Sequence, residues 1–266
     1  MRILVCVKQV PDTTEIKIDP VTNTLIRAGV PSIVNPFDAY ALEMAARIKD
    51  ANPGTVITLL SMGPEQAKNA LKECLAVGGD QAYLISDRAF GGADTLATSY
   101  TLTSAIRKLE ETEGKFDLIF CGKQAIDGDT AQVGPEIAEQ LDIPQVTYAV
   151  EAQLKGDEVY VKRETSDGFE VLAAKLPCLI TVTKPAFDPR FPSIKSKLAA
   201  NRAQIPTLTS ADLNVEPGRI GLKGSPTKVK KTFTPPRKQG GVKIHEADSE
   251  LSARKLFEAM SKANLI

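Results

Sequence analysis

Residues 122–135 read Gly-Lys-Gln-Ala-Ile-Asp-Gly-Asp-Thr-Ala-Gln-Val-Gly-Pro, after an apolar run at 118–121 and before a helical pattern at 135–141. The stretch holds two carboxylates (Asp127, Asp129), an ammonium (Lys123), two amides (Gln124, Gln132), a hydroxyl (Thr130) and the glycines Gly128 and Gly134. A strand that runs into such a loop and then a helix presents unpaired N–H groups beyond its C-terminal end, where open parallel sheets bind ligands. The chemistry is nucleotide binding, with Thr130 and Gln132 as donors. Two carboxylates repel a phosphate, so Asp127 and Asp129 are expected to accept from ribose hydroxyls or to hold the loop. The same residue types also make ordinary strand-to-helix turns, and composition alone leaves both readings open.

Two other segments carry related chemistry. In 87–99, Gly91, Gly92 and Ala93 remove side chains where a ring or backbone must approach closely. Asp94, Thr95 and Thr98 then fall at a helix start, a place suited to pyrophosphate; a glycine loop ending a strand is the plain alternative. At Asn35, Pro36, Phe37 and Asp38 an Asn-Pro pair predicts a helix N-cap and first turn. Cys6 lies in the first apolar run and Met62 ends the second, each able to pack on an adenine or simply to fill the core.

Other chemistries are excluded. His245 is the single histidine and lies near the C-terminus, which argues against a Ser–His–Asp triad or a His-rich metal centre. Cys6, Cys74, Cys121 and Cys178 stand far apart in apolar contexts with no Cys-x-x-Cys unit, so no zinc or iron–sulfur site is expected. No Gly-x-Gly-x-x-Gly or Walker A sequence occurs. No apolar stretch approaches the roughly 20 residues of a membrane span. The N-terminus lacks a signal-peptide pattern, and a cytoplasmic location is expected. No residue stands out as a catalytic acid or base. Chemistry here must come from a bound cofactor.

The elements that must position these residues alternate in type. Strands are expected at 2–10, 55–62, 81–86 and 118–121, with helices at 36–50, 65–77, 95–111 and 135–141. Residues 15–26 alternate around 19–23 as two short strands about a turn. Further strands follow at 145–154, 158–164, 169–174 and 178–182 across short turns. The fold class is therefore α/β, a mostly parallel sheet with added antiparallel strands. Beyond residue 183 the character changes. Eight of the 17 prolines fall between Pro185 and Pro236, and segment 184–243 holds 13 Lys and Arg against 3 Asp and Glu in a chain of net charge zero. An arm of this kind cannot bury a core of its own. Yet Ile194, Leu198, Ile205, Leu208, Leu213, Ile220 and Leu222 recur along it, so it is expected to pack on a surface, ending in a helix at about 248–263. Two divisions result: a nucleotide-binding domain, 1–183, and an arm with terminal helix, 184–266.

The 122–141 segment, together with Ile-Leu-Val-Cys-Val-Lys-Gln-Val-Pro-Asp-Thr at 3–13, the 35–38 tetrad and Lys-Leu-Pro-Cys-Leu-Ile-Thr-Val at 175–182, resembles the electron-transfer flavoprotein β subunit over nearly the whole chain. The resemblance implies a fold of the adenine-nucleotide α-hydrolase type and a nucleotide held by Cys6, Asn35–Asp38, Met62 and the loop Lys123, Gln124, Ala125, Ile126, Asp127, Gly128, Asp129, Thr130, Ala131, Gln132, Val133 and Gly134. It also implies an obligate heterodimer with an α subunit that carries FAD. Members that hold AMP carry a third acid and a Cys-Asn pair in this loop. The present loop and the Gly91–Thr98 segment are more similar to the bifurcating branch, which implies FAD in this subunit and NADH as electron donor, with AMP as the alternative. Arg190-Phe-Pro-Ser-Ile-Lys-Ser-Lys-Leu198 resembles the family's recognition loop, with Phe191, Ile194 and Leu198 facing an acyl-CoA dehydrogenase-type flavoenzyme. Ferredoxin or flavodoxin is the other acceptor implied, and no nucleic acid is expected as partner. A nucleotide-sensing protein of the same fold without a redox role is the second alternative.

Overall fold

The computed structural model describes residues 1–12, 31–230 and 240–266. The first compact unit runs from Met1 to Lys230 and is built on a nine-stranded sheet. Its strands are β1 (Arg2–Cys6), β4 (Val56–Met62), β5 (Gln81–Ile85), β6 (Leu118–Gly122), β7 (Gln145–Lys155), β8 (Glu158–Thr165), β9 (Gly168–Lys175), β10 (Cys178–Val182) and β11 (Thr207–Leu208). A separate antiparallel pair joins β2 (Gln9–Pro11) to β3 (Ser32–Val34). The order in the large sheet is β11-β5-β4-β1-β6-β10-β7-β8-β9. All pairs from β11 to β7 are parallel, and β7, β8 and β9 form the antiparallel extension.

The central strands are apolar throughout because both sheet faces are covered. On one face Ile3, Val5, Ile57 and Leu59 pack with Ala41, Leu42 and Ala45 of α1 (Pro36–Ala51) and Leu71 of α2 (Lys68–Val77). On the other, Leu4, Leu60 and Leu179 pack with Ala105 and Ile106 of α3 (Thr95–Glu113) and Ile137 and Ala138 of α4 (Val133–Leu141). The period-two alternation of Ile3, Leu4 and Val5 feeds two separate cores, and the result is a three-layer α/β unit.

Several expectations are refined. The first strand, expected at 2–10, is two strands, because the chain leaves the sheet at Val7 and Lys8 to enter the β2–β3 pair. The helix expected at 65–77 opens as a single 3-10 turn, Glu65–Ala67, before α2 begins. The paired strands expected within 15–26 lie outside the described residues. Segment 184–230 belongs to the first compact unit rather than lying beyond it. It contributes α5 (Ile194–Arg202) and β11, and Ile205, Leu213 and Ile220 are buried. Ile194, Leu198 and Leu222 from the same apolar series stay exposed. The second unit, Lys231–Ile266, carries α6 (Ser249–Lys262), whose Asp248 side chain caps Glu250 N and whose Leu251, Leu256 and Phe257 are exposed. Among the described residues no helix is long and apolar enough to cross a membrane.

Candidate functional site

From β1 the chain moves outward through β4 to β5, then returns to the other side of β1 as β6. The C-terminal end of β1, between β4 and β6, is thus a topological switch point, where a crevice opens between diverging connections. Cys6 ends β1, Met62 ends β4, and Gly122 ends β6 and starts the polar loop. Ile85 ends β5, whose following segment carries Gly91 and Gly92. The residues singled out in the sequence therefore share one edge of the sheet.

Asn35 and Asp38 build the floor of this edge. Asn35 sits at the N-cap of α1, but its side chain makes no capping bond. Its amide instead reaches across the crevice, where Nδ2 donates to Gln124 O at 2.8 Å and Oδ1 accepts from Ile126 N at 3.2 Å. The expected capping role is therefore replaced by a pin on the 123–134 loop, and Pro36 alone supplies the helix-starting geometry. Asp38 is buried, with Oδ2 accepting from Lys8 N at 2.7 Å and Oδ1 from Gly122 N at 3.1 Å. One carboxylate thus ties the ends of β1 and β6 together. Burial pushes its acid up to about 7, against the lowering effect of the bonds from Lys8, Asn35 and Gly122. Gly122 has to be glycine, because a Cβ there would overlap the Asp38 carboxylate and the Phe37 backbone. Phe37 itself is half-buried.

In the loop, the Asp127 carboxylate pairs with Lys8 Nζ at 2.6 Å and is 6% exposed, so it holds the loop to the chain just after β1. Asp129 and Thr130 are exposed, as is Gly128, around which a Cβ would meet nothing within 4 Å. Ala125 and Gly128 face each other in a tight turn, with Gly128 N donating to Ala125 O at 3.2 Å. Ala131 takes a left-handed φ of 55° just before α4. That helix begins at Val133 rather than at Pro135, and Gln132 at its N-cap makes no side-chain bond to it. Gly134 lies so close to Thr181 and Cys121 that α4 can sit directly on β10 and β6. The uncapped N–H groups of Val133 and Gly134 fit a phosphate, and the open backbone at Gly128 leaves room for one.

Cys6 and Cys121 occupy adjacent strands, and the neighbouring Cys6 thiol together with burial raises the Cys121 thiol above its ordinary range. Cys6 is half-buried beside the crevice, and Met62, also half-buried, borders a hollow of about 80 Å³ with Lys8, Gln9 and Gly63.

The glycine segment meets the loop at one point. Thr95 Oγ1 lies 3.1 Å from Glu136 Oε1 and 3.3 Å from Gln132 Oε1, so the N-terminal ends of α3 and α4 converge. Asp94 caps α3 as expected, accepting from Ala97 N at 3.1 Å, and Thr98 N donates to Asp94 O in the first turn. Ala93 is half-buried, and Gly92 is left-handed at φ 73°. Part of the opening is covered: Leu222 N donates to Gly91 O at 3.0 Å, and the Leu222 side chain lies against Gly92. Asp94 also holds Thr227 N at 3.0 Å, while Asp94 N donates to Ser225 Oγ at 2.9 Å. Sequence reasoning missed Lys8, Glu136, Ser225 and Thr227, whose partners lie between 41 and 133 positions away. Lys8 and Glu136 each had a signal, their places in the 3–13 and 122–141 family-like motifs. Tyr148, another omission, has φ 59° and lies 5.1 Å from Lys123 Nζ.

The residues expected to face a partner lie elsewhere. Phe191 is 94% exposed, Ile194 84% and Leu198 54%, on the chain around the start of α5. They do not approach the switch-point crevice in sequence or by any bond, and form a surface of their own. Among the described residues no group of three or more metal-ligating side chains forms a metal centre.

Fold and crevice together define an α/β protein organised around the switch point of a mostly parallel sheet. The family model for the electron transfer flavoprotein domain matches residues 22–213. The chain is 56% identical over 255 residues to the electron transfer flavoprotein subunit beta of Megasphaera elsdenii, covering 95% of this chain and 94% of that one. It is 49% identical over 266 residues to the caffeyl-CoA reductase-Etf complex subunit CarD of Acetobacterium woodii, covering 100% of both. It is 46% identical over 239 residues to the protein FixA of Azorhizobium caulinodans, covering 88% of this chain and 85% of that one. The chain belongs to the electron transfer flavoprotein family, as a β subunit. It works in electron transfer, in a flavin-associated family whose β subunits pair with an α subunit.

Proposed function

We propose that this chain is the β subunit of an electron-bifurcating flavoprotein that acts in the cytoplasm and holds FAD in the switch-point crevice. The observation that carries the reading is the meeting of Thr95 with Gln132 and Glu136. It joins the two segments whose composition is similar to the bifurcating branch, beside the N-terminus of α4, where a pyrophosphate finds unpaired N–H groups. The flavin, when bound, supplies hydride acceptance from NADH and division of the electrons between ferredoxin or flavodoxin and the α-subunit FAD, which serves an acyl-CoA dehydrogenase-type partner. The chain's own residues bind and orient. Val133 and Gly134 offer N–H groups to phosphate, Asn35 fixes the height of the loop, and Gly91 and Gly92 leave space for a ring. Cys6 and Met62 border the adenine side. Lys8 and Asp127 hold each other, so one of the two loop acids is already neutralised by a cation.

The name of the Acetobacterium woodii relative places that protein in a reductase–Etf complex, which supports a partner dehydrogenase for this chain. The arm 184–230, the exposed apolar side of α6 and the open edge of β9 supply apolar surface for an α subunit. One observation favours the AMP reading instead. Leu222 lies over Gly92 and narrows the glycine opening, which suits a smaller nucleotide.

The test is to assemble the heterodimer, count its flavins and add NADH without oxygen. Two FAD per heterodimer and rapid bleaching of the flavin absorbance support the proposal. One FAD, one AMP and no response to NADH overturn it in favour of a non-bifurcating β subunit. No nucleotide bound and no response would leave the sensing alternative.

A further inference from the structure

Outside the crevice, the Arg190 side chain is bonded to two carboxylates of α1. Its Nε donates to Glu43 Oε2 at 2.8 Å and its Nη2 to Glu43 Oε1 at 3.2 Å, a two-pronged bond to one carboxylate. Its backbone N also reaches Glu43 Oε2 at 3.1 Å, and Nη2 reaches Asp50 Oδ2 at 2.7 Å. Glu43 is a surface-helix acid with a side chain only 5% exposed, held from the other side by Arg47 Nε at 3.0 Å. Arg47 in turn lies 4.0 Å from the centre of the Phe187 ring. Burial alone would raise the Glu43 acid, yet the bonds from Arg190 and Arg47 hold it below the ordinary range, so the group stays charged. Such planar, forked bonding is available to arginine and not to lysine.

The place of this clamp gives it leverage. It fixes residue 190, directly before Phe191, which is 94% exposed. The next firm attachments come ten residues later, at buried Ala200 and at Asn201 O, which accepts from Lys72 Nζ at 3.1 Å. Beneath the span lies a cavity of about 520 Å³ between α1, α2 and the arm, lined by Leu42, Cys74, Ala76, Val77, Pro189 and Pro192 among others. Exposed residues 191–193 therefore lead from the clamp straight into α5, which packs along α2 beside this hollow.

We propose that Arg190 is a positioning residue for docking: by fixing the root of this span to α1 it sets where Phe191 and Ile194 stand when a flavoenzyme partner arrives. The inference rests on the reading of Phe191, Ile194 and Leu198 as the partner-facing surface. A span fixed beforehand loses less freedom on binding than a loose one, so the clamp acts on affinity and not on the chemistry inside the heterodimer.

The experiment uses the assembled heterodimer with an acyl-CoA dehydrogenase held at saturating acyl-CoA, measuring flavin reduction as dehydrogenase concentration varies. Four single β-subunit variants, Arg190→Met, Arg190→Lys, Glu43→Gln and Phe191→Ala, and the double variant Arg190→Met with Glu43→Gln are compared with the parent. Arg190→Met is expected to raise KM for the dehydrogenase about tenfold with kcat unchanged, and Arg190→Lys to recover part of the loss. Glu43→Gln added to Arg190→Met should change KM no further, since both break one contact. Subunit assembly and flavin content should match the parent. A KM unchanged in Arg190→Met while Phe191→Ala raises it overturns the positioning role and leaves the docking surface standing. A KM unchanged in both removes the docking surface itself. A fall in kcat and flavin content together would assign Arg190 to general stability and also overturn the inference.

Discussion

Replacing Asn35 by alanine tests the central claim about the crevice, that this residue pins the 123–134 loop and does not cap α1. The change leaves Gln124 O and Ile126 N without the partners they have at 2.8 and 3.2 Å, beside a residue only 1% exposed. Each lost bond, with a buried polar group left behind, costs about 1–2 kcal/mol, so the pair should cost about 2–4 kcal/mol. For a chain of this size that corresponds to a fall in Tm of roughly 5–15 °C. Calorimetry on the heterodimer, with the bound nucleotide quantified after denaturation, reads both stability and occupancy. Asn35→Ser separates the two roles. Serine is a good N-cap but too short to span the crevice, so a cap would be restored and a pin would not. Tm and nucleotide content in Asn35→Ser should therefore fall nearly as far as in Asn35→Ala. Recovery of both in the serine variant would refute the pin and return Asn35 to helix capping.

Asp38 gives a pH signature. Its folded acid near 7 lies above its ordinary value of 3.8, so the folded chain binds the proton more tightly and this group's contribution is full below about pH 4 and lost as pH rises through 7. Relative to Asp38→Asn, wild-type stability in urea should drop by on the order of 4 kcal/mol between those limits, and parallel pH profiles would disprove it. Gly122→Ala forces a Cβ into the Asp38 carboxylate and the Phe37 backbone, and should lower stability by about 2–3 kcal/mol in the same assay. Gly128→Asp has room for its side chain, so it should leave the apoprotein's Tm within about 2 °C while sharply reducing nucleotide content; full occupancy would move the phosphates elsewhere. Ending the chain after Lys230 keeps the whole first compact unit, and should abolish co-purification with the α subunit while circular dichroism remains that of a folded α/β protein.

The parallel half of the fold was legible because its signals are local. The alternating apolar runs of β1, β4, β5 and β6 and the covered stripes of α1 to α4 follow from periodicity within each segment. Asp94 as the cap of α3 was legible for the same reason, since cap and partner are three residues apart. Asn35 misled for an instructive reason. Asn-Pro before a helix is a local pattern, but the side chain answers to a loop 89 and 91 positions downstream. Lys8 and Asp127 are separated by 119 positions, and nothing in either neighbourhood announces the other. The arm was the hardest part to read. Its prolines hide the short helix α5 and the two-residue strand β11, which form because β5 offers an edge and α2 offers a surface.

The two ends of the large sheet differ in kind. On one side it stops at β11, two residues long, too short to offer much of a template. On the other it stops at β9, eight residues with one row of main-chain groups unpaired within this sheet, bearing Phe169 and Val171 at 60% and 64% exposure. A long edge with apolar residues on it recruits any strand that comes near, including its own copies. A cell that synthesised this polypeptide ahead of its companion would accumulate a sticky intermediate. Heterologous production of the single chain is expected to yield more inclusion bodies than co-production with an α subunit, and equal solubility of the two would show that the edge is not the hazard.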